Sequence, residues 1–216
     1  NLIEVDSRYL GRVSYEVGLA EQARAWTEVR NNPDRAIIIG LEHETVITVG
    51  RREKHQALRL PNHLKQAPVC YVDRGGRLTL HSPGQLLIYP VVHLRMHHVS
   101  VRDFICLLLN VTKHVLQDYL IESFCYPDLS GLYTKQGKIV FLGLRILQGI
   151  SQHGLAVNIQ NDLSLFRGFT ACGVPDLALD KVGTKCQLPE FFLQWAHTYK
   201  ARKDDSIGCA ESFLTN

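Results

Sequence analysis

Two glycines flanked by arginines are followed by a histidine-proline-glycine turn in residues 74–85 of the chain. Paired glycines let the main chain approach a ligand closely or adopt a positive φ angle. The side chains of Arg74, Arg77 and His81 can donate hydrogen bonds to a carbonyl, carboxylate or phosphate group. The segment therefore predicts the rim of a binding pocket, and by itself it does not specify a reaction.

Two single residues carry groups that could act in covalent chemistry. Cys172 precedes Gly173 just after a predicted loop, where a thiol can be exposed to a substrate. A lone cysteine is nevertheless more often a buried and inert residue. Lys138 begins a predicted strand, and taken alone it would be a solvated lysine at the edge of a sheet. Each residue on its own therefore favours a structural role.

The sequence does not predict a metal site. His93 and His97 are four residues apart. The residues between them lack the glutamate of a His-Glu-x-x-His zinc site, and no third ligand is apparent.

The composition is that of an ordinary globular domain. The chain has 216 residues, of which 45% are apolar, and its formal net charge is +3. A chain of this length can bury a substantial core as one domain, or as one large and one small lobe. Because there are no long runs of like charge, nucleic-acid binding has little support, whereas docking of an acidic protein remains compatible with the charge.

The cysteines and the apolar runs bear on the location of the protein. The six cysteines are irregularly spaced without a Cys-x-x-Cys pair, which argues against a zinc ribbon and a dense disulfide framework and favours a reducing compartment. The apolar runs are far shorter than the roughly 20 residues of a membrane-spanning helix. We expect a soluble, cytoplasmic protein, or a mitochondrial one if a removed leader preceded Asn1.

The hydrophobic pattern alternates between helices and strands. Period-3.6 patterns predict helices over residues 13–30, 101–120 and 188–199, the second with Ser100 as its N-cap. Patterns rich in β-branched residues predict strands over 36–41, 45–49, 69–73, 78–80, 85–92, 131–134, 138–147 and 154–159. Helices do not separate every pair of strands, so we expect an α+β fold with a mixed, largely antiparallel sheet flanked by helices.

Several spaced motifs, read together and in order, resemble the lipoyl(octanoyl) transferases, also called lipoate-protein ligase B. The resemblance extends from about Leu41 to Cys172 and covers most of the chain. It begins with Leu41-Glu42-His43 and Val49-Gly50-Arg51-Arg52. It continues with Arg74-Gly75-Gly76, Thr79, His81, Pro83-Gly84-Gln85, Gly131-Leu132-Tyr133, Gly137-Lys138-Ile139, Leu142-Gly143-Leu144-Arg145-Ile146, His153-Gly154-Leu155-Ala156-Val157-Asn158 and Ala171-Cys172-Gly173.

The resemblance implies a fold and a reaction. The fold would be that of the catalytic domain of biotin and lipoate protein ligases, as one octanoyltransferase domain over residues 1–216 with a polar tail from about residue 203. The reaction would move octanoyl from octanoyl-acyl carrier protein to a lysine of an apo-lipoyl domain, in 2-oxoacid dehydrogenases and in the glycine cleavage H protein. It would need neither ATP nor a cofactor, because a thioester is already activated, and the protein would bind no nucleic acid and no membrane.

The resemblance also implies site residues. Cys172 matches the nucleophile that forms an acyl thioester, and Lys138 matches the lysine that activates it. An ordinary cysteine thiol has a pKa near 8.5, and an ammonium about 4 Å away can favour the thiolate by one or more pKa units. The segments that match the family's substrate contacts are Arg74, Gly75, Gly76, Arg77, Leu78, Thr79, Leu80, His81, Phe141, Leu142, Gly143, Gly154, Leu155 and Ala156.

Two residues depart from the family pattern. Leu80 replaces a tyrosine of many relatives, and Ser82 replaces a glycine. If Ser82 has to adopt a positive φ angle, the change costs about 1 kcal/mol. The departures predict a pocket wall that is reshaped rather than destroyed, and they leave the acyl-chain preference open.

Two other classes of protein are compatible with the same residues. An ATP-dependent lipoate or biotin ligase has the same fold but does not require Cys172, so a dependence on ATP would distinguish it. The other alternative is a non-catalytic protein that binds an acyl carrier or a lipoyl domain, which is favoured if Cys172 and Lys138 lie too far apart to share a proton.

Overall fold

The computed structural model describes residues 4–53, 58–126, 129–171, 173–174 and 177–203. The helices in this part of the chain are α1 (Tyr15–Asn31), α2 (Val101–Asp118) and α3 (Leu188–Arg202). The strands are β1 (Glu4–Val13), β2 (Arg35–His43), β3 (Val46–Val49), β4 (Val69–Tyr71), β5 (Leu78–His81), β6 (Gln85–Val91), β7 (Phe124–Tyr126), β8 (Leu129–Tyr133), β9 (Lys138–Leu147) and β10 (Ile150–Asn158).

The strands form one large and one small sheet. The large sheet has the order β1-β2-β6-β10-β9-β8-β7, and the small sheet has the order β4-β3-β5. The β1–β2 and β3–β4 pairs are parallel, and the other pairs are antiparallel. The prediction of a mixed, largely antiparallel sheet flanked by helices is therefore confirmed.

The central strands of the large sheet are buried on both faces. In β2, Ala36 and Ile38 belong to the core that contains α2 and α3, whereas Ile37 and Ile39 belong to the core that contains α1 and the small sheet. Successive side chains of a strand point to opposite faces, so one strand contributes to both cores. The result is a layered molecule with the large sheet in the middle.

Each predicted helix is present, and its start has a local cause. Ser14 Oγ accepts the N–H of Val17 at 3.3 Å, and Ser100 Oγ accepts the N–H of Asp103 at 3.0 Å, so each serine caps a helix. Proline occupies the first turn of α3, where it lacks an N–H that the helix would leave unpaired. Among the described residues, no helix is long and apolar enough to cross a membrane.

Two strands were absent from the sequence prediction. Strand β7 has only three residues, and β1 is a partly buried edge strand without an apolar run. β1 pairs with β2 and packs Val5 and Tyr9 against the core, and Arg8 adds hydrogen bonds to both carboxylate oxygens of Glu28 in α1 at 2.9 and 2.8 Å. Because charged residues interrupt the apolar ones along β1, the strand gives no clear hydrophobic periodicity for a sequence prediction.

Candidate active site

A cavity of about 180 Å3 is lined by residues of β5, β6, β8, β9 and β10, by the first residue of α1 and by the loops that precede β5. Eleven of the fourteen predicted substrate-contact residues line it, and so does Lys138. The eleven are Arg74, Gly76, Arg77, Thr79, His81, Phe141, Leu142, Gly143, Gly154, Leu155 and Ala156. Residues that are distant in sequence therefore meet around one space.

The glycine loop before β5 is fixed by main-chain hydrogen bonds on both sides. The N–H of Gly75 donates to the carbonyl of Leu144 in β9 at 2.9 Å, and the N–H of Gly50 donates to the carbonyl of Arg77 at 3.2 Å. A side chain at Gly50 would collide with the main-chain oxygen of Gly76. Gly75 is thus outside the cavity lining and ties the loop to the large sheet.

The buried side chain of Arg74 also holds this loop. Its Nη2 donates to the carbonyl and the Oγ1 of Thr48 at 2.9 and 2.8 Å, and to the carbonyl of Arg77 at 2.9 Å. Its Nη1 donates to the carbonyl of Gly75 at 3.0 Å, and its Nε donates to Thr48 Oγ1 at 3.2 Å. The sequence predicted Arg74 as a donor to a ligand, whereas the structure uses these donors to shape the loop.

Alternation along β5 explains which of its residues reach the cavity. Thr79 and His81 line it, while Leu78 and Leu80 are buried in the core between the sheets. Leu80 therefore lies outside the cavity wall. Ser82 is buried without a positive φ angle, so the condition for backbone strain at this position is not met.

Lys138 lies at the start of β9 and is only 2% exposed. Its Nζ lies 5.2 Å from the ring centroid of Tyr133 and 4.9 Å from that of Phe141, distances at which an ammonium is attracted to an aromatic ring. The N–H of Lys138 donates to the carbonyl of Ala178 at 2.8 Å, and its carbonyl accepts the N–H of Asp180 at 3.0 Å. The sequence alone suggested an exposed edge lysine, which is wrong because residues 178–180 cover it.

Five buried aromatic rings meet near β2, β5, β6 and β10, and we refer to Tyr15, His43, His81, Tyr89 and His153 as the histidine-tyrosine cluster. Its neighbouring ring centroids lie 5.0 to 6.3 Å apart. His43 Nδ1 lies 3.2 Å from the carbonyl of Val13, which can only accept, so Nδ1 carries the proton. His43 Nε2 then accepts the hydroxyl of Tyr89 at 3.0 Å.

Burial keeps the histidines of this cluster neutral. It lowers the pKa of His81 to about 3, with a further contribution from the neighbouring His43. Burial lowers the pKa of His153 to about 4, assisted by the positive charges of Arg74 and Arg145. The pKa of His43 is also lowered by burial. At neutral pH these imidazoles therefore present one N–H and one lone pair each.

His153 combines backbone strain with burial in the cavity wall. Its φ angle is +57°, a region that non-glycine residues rarely adopt. The N–H of His153 donates to Oε1 of Gln22 in α1 at 2.6 Å. This bond connects α1 to the cavity wall and supports the strained conformation.

Cys172 lies outside the described residues, but the residues that follow it are described. Val174 lines the cavity, and its N–H donates to the carbonyl of Ala171 at 2.9 Å. Gly173 has a φ angle of +79°, and a Cβ there would lie 2.7 Å from Cδ of Arg77. A glycine at 173 therefore allows the Arg77 side chain to pack directly against the main chain.

Nine residues that line the cavity are not among the predicted site residues. Tyr133 and His153 belong to motifs that had been recognised, and Leu87 and Tyr89 follow the alternation of a predicted strand. Arg52 is in a recognised motif as well, and Ser130 lies in β8 just before the predicted strand. Tyr15, Val174 and Leu177 come from the start of α1 and from a loop, where no periodic signal exists. The nine are Tyr15, Arg52, Leu87, Tyr89, Ser130, Tyr133, His153, Val174 and Leu177.

The histidine pair considered as a metal site has separate hydrogen bonds. His97 Nε2 donates to the carbonyl of Pro33 at 2.7 Å, and His93 Nδ1 accepts the N–H of Met96 at 3.3 Å. In the described part of the chain, no group of three or more His, Cys, Asp or Glu residues could hold a metal ion.

Comparison with known proteins identifies related sequences. The family model of the lipoyl protein ligase A/B catalytic domain matches residues 14–182. An octanoyltransferase of Marinomonas sp. (strain MWYL1) is 36% identical over 176 residues, which are 79% of this chain and 81% of that protein. An octanoyltransferase of Cellvibrio japonicus (strain Ueda107) is 38% identical over 175 residues, 80% of this chain and 79% of that protein.

A solved structure has the same fold. The crystal structure of a lipoate-protein ligase A bound with ATP superposes with a TM-score of 0.71, covering 92% of this chain and 85% of the other, at 13% identity. The two proteins therefore have a common architecture despite few common residues.

Proposed function

The chain belongs to the family of the lipoyl protein ligase A/B catalytic domain, and we propose that it transfers octanoyl groups through a thioester on Cys172 with the help of Lys138. Octanoyl transfer in protein lipoylation is the activity of this enzyme. The thioester intermediate, the donor and the acceptors are the parts that we propose.

The burial of Lys138 in the wall of the cavity is the observation that carries the proposal. A lysine that serves only solubility would keep its ammonium in water, because removing that charge from water is costly. Lys138 is instead covered by residues 178–180 and lies over two aromatic rings. A costly buried ammonium beside a substrate-sized cavity is typical of a catalytic lysine.

The residues around Cys172 support its role as the nucleophile. Val174 lines the same cavity as Lys138, and Gly173 packs against Arg77, which also lines it. In the proposed first step, the Cys172 thiolate attacks the carbonyl carbon of octanoyl-acyl carrier protein. A new C–S bond forms, the C–S bond to the carrier breaks, and the carrier thiolate takes up the proton of the Lys138 ammonium, which leaves Lys138 neutral for the second step.

The second step transfers octanoyl to a lysine of an apo-lipoyl domain. The neutral amine attacks the carbonyl carbon, a C–N bond forms, and the bond to Cys172 Sγ breaks. The amine loses one proton, which we assign to Lys138 as general base, and the Cys172 thiolate is regenerated. Because a thioester is exchanged for a more stable amide, no ATP is consumed.

The glycine loop supplies candidates for stabilising the oxyanion. The N–H of Gly75 is committed to the carbonyl of Leu144. We therefore assign the oxyanion to the main-chain N–H groups of Gly76 and Arg77, which belong to residues that line the cavity. Two fixed N–H donors of this kind would stabilise the negative charge of the tetrahedral intermediate.

The partners in the proposed reaction are two carrier proteins. Octanoyl-acyl carrier protein is the donor, and the apo-lipoyl domains of 2-oxoacid dehydrogenases and the glycine cleavage H protein are the acceptors. Arg51, Arg52 and Arg77 are exposed at or near the cavity, and Arg52 and Arg77 line it. Their positive charge suits the phosphate of a phosphopantetheine arm. A reducing compartment such as the cytoplasm suits a free thiol.

The alternative function is that of an ATP-dependent ligase. The fold shared with a lipoate-protein ligase A bound with ATP is the observation that supports this alternative. Such an enzyme would activate free octanoate or lipoate as an adenylate and would work without Cys172. Incubation of an apo-lipoyl domain with free octanoate, with and without ATP and Mg2+, separates the two reactions. The proposed enzyme modifies the domain only when octanoyl-acyl carrier protein is supplied.

The thioester is tested by intact mass spectrometry after incubation with octanoyl-acyl carrier protein. We expect an octanoyl adduct that hydroxylamine removes. The adduct should be absent in Cys172→Ala and present in Cys70→Ala, which removes a half-buried free cysteine instead. An adduct of equal yield in Cys172→Ala would overturn the assignment, as would a wild-type protein that turns over without forming one.

A further inference from the structure

A chain of side-chain amides connects the strand of Lys138 to the imidazole of His81. It begins at the main-chain carbonyl of Asp180, which can only accept hydrogen bonds. Asn158 Nδ2 lies 3.1 Å from this oxygen and 3.5 Å from the carbonyl of Lys138. These contacts fix the orientation of the Asn158 amide, since the opposite orientation would place acceptor against acceptor.

The orientation of Asn158 determines that of the next side chain. Asn158 Oδ1 must accept, and it faces Nε2 of Gln85 at 3.0 Å and Nδ2 of Asn161 at 3.1 Å. The amide nitrogen of Gln85 therefore points toward Asn158, so its Oε1 points the other way. That oxygen lies 2.7 Å from Nδ1 of His81.

The contact with Gln85 also determines which nitrogen of His81 carries the proton. Gln85 Oε1 can only accept, so His81 Nδ1 must carry the proton, and Nε2 is left with its lone pair. Gln85 and Asn158 are fully buried, and His81 is 7% exposed. Water therefore cannot readily replace any of these hydrogen-bond partners. Two acceptors or two donors facing each other would leave a buried polar group unsatisfied, at a cost of about 1–3 kcal/mol.

The cavity needs such an acceptor. Lys138 takes one proton of the amine in the proposed second step, so the remaining N–H needs another acceptor. Arg52 and Arg77, which also line the cavity, are donors that suit the oxygen of a carbonyl or a phosphate, and the Arg74 donors are used within the loop. An attacking amine has the opposite requirement, because its lone pair must face the carbonyl carbon while its N–H groups point toward acceptors. His81 lines the cavity on the same side of β5 as Thr79, whose buried hydroxyl has no hydrogen-bond partner among the described residues.

We propose that Gln85 and Asn158 are positioning residues that hold His81 in its Nδ1–H tautomer, so that Nε2 accepts an N–H of the incoming lysine amine. The inference rests on the proposed transfer from Cys172 to an amine. His81 orients the amine and does not take its proton, since a buried imidazole whose pKa is about 3 is too weak a base.

The tautomer is measurable without any turnover. Nitrogen-15 chemical shifts of the His81 ring, taken by NMR between pH 6 and 8, distinguish a protonated nitrogen from one with a free lone pair. We expect a protonated Nδ1 and an unprotonated Nε2 in the wild type, and a mixture of tautomers in Gln85→Met. A wild-type ring protonated at Nε2, or at both nitrogens, would overturn the proposal without bearing on Cys172.

Kinetics then separate the two half-reactions. In Gln85→Met, we expect the rate of acyl-enzyme formation to stay within about twofold of the wild type. The rate of transfer to the lipoyl domain should fall about tenfold, because the free energy of one neutral hydrogen bond corresponds to about that factor in rate. Equal losses in both half-reactions would show a general structural role and contradict the proposal. If the wild type forms no acyl-enzyme, the thioester mechanism fails instead, and the measured tautomer still stands.

A matched pair of variants at His81 tests the acceptor itself. His81→Gln places an amide oxygen where Nε2 was, whereas His81→Asn can replace only the bond of Nδ1 to Gln85. We expect transfer to be faster in His81→Gln than in His81→Asn. Equal transfer rates in the two folded variants would contradict a role for Nε2.

Discussion

The side chain of Arg74 and the main chain and hydroxyl of Thr48 are joined by three hydrogen bonds of 2.8 to 3.2 Å. Thr48 is in the middle strand of the small sheet and is fully buried. Nη2 contacts both oxygens of Thr48, and Nε contacts Oγ1 as well, so two nitrogens of the planar guanidinium are fixed on one residue. The arginine therefore determines the position of the glycine loop relative to β3.

Removing the Thr48 hydroxyl should loosen this loop. Thr48→Val keeps the shape of the side chain but leaves two donor groups of Arg74 without their Oγ1 acceptor, so we expect the free energy of unfolding to fall by about 1–3 kcal/mol. Thr48→Ser keeps the hydroxyl and is the control. Urea denaturation measures both, and an equal loss in the two variants would show that packing, not the hydrogen bonds, is responsible.

Lys138→Met should remove the charge and keep most of the buried volume. If the ammonium stabilises the Cys172 thiolate, its loss raises the pKa of the thiol, and the pH at which acylation reaches half its maximum rate moves upward. We expect slower acylation at pH 7 and partial recovery at pH 9, measured by quenched-flow mass spectrometry. An unchanged pH profile would remove Lys138 from the activation step.

The acyl-chain preference should depend on Ala156 in the cavity wall rather than on Leu80. Ala156 lines the cavity between Phe141 and Leu87, with which it pairs across β9 and β6. Ala156→Leu fills part of this space, so we expect acylation by octanoyl donors to decrease relative to hexanoyl donors. The assay is competition between the two donors, read as the ratio of adduct masses.

Leu80 provides the comparison for this prediction. It is fully buried outside the cavity wall, so Leu80→Ala should lower the free energy of unfolding by about 2–5 kcal/mol through the space it leaves. The ratio of octanoyl to hexanoyl adducts should stay that of the wild type. A changed ratio in Leu80→Ala would restore the expectation that this departure from the family pattern reshapes the pocket.

The sequence predicted those parts of the fold that depend on local periodicity. Strand β2 and helix α2 have strong apolar patterns and were found, whereas charged residues interrupt the apolar ones in β1, which was missed. At the site, the segments of the motifs lie around one cavity, but the motifs did not show that Leu78 and Leu80 face the core. The burial of Lys138 was also unpredictable, because its cover comes from residues 40 positions away.

Acid should destabilise the protein through its buried histidines. The pKa of His81 is about 3 and that of His153 about 4 in the folded state, both below the ordinary value near 6.5. Below pH 6.5 the unfolded chain therefore binds protons that the folded chain does not. The contribution of each neutral, buried histidine to the free energy of unfolding is fully present above pH 6.5. It is lost as the pH falls toward the folded pKa, by about 1.4 kcal/mol per pH unit for each histidine.

A variant of His153 isolates one of these contributions. His153→Asn removes one titrating group, and asparagine tolerates the left-handed backbone at this position. At pH 7.5 the difference in unfolding free energy between variant and wild type reports only the change in packing. Between pH 7.5 and 5 the wild type should lose about 2 kcal/mol more than the variant, by urea denaturation. Parallel losses in the two proteins would mean that His153 is protonated in the folded state.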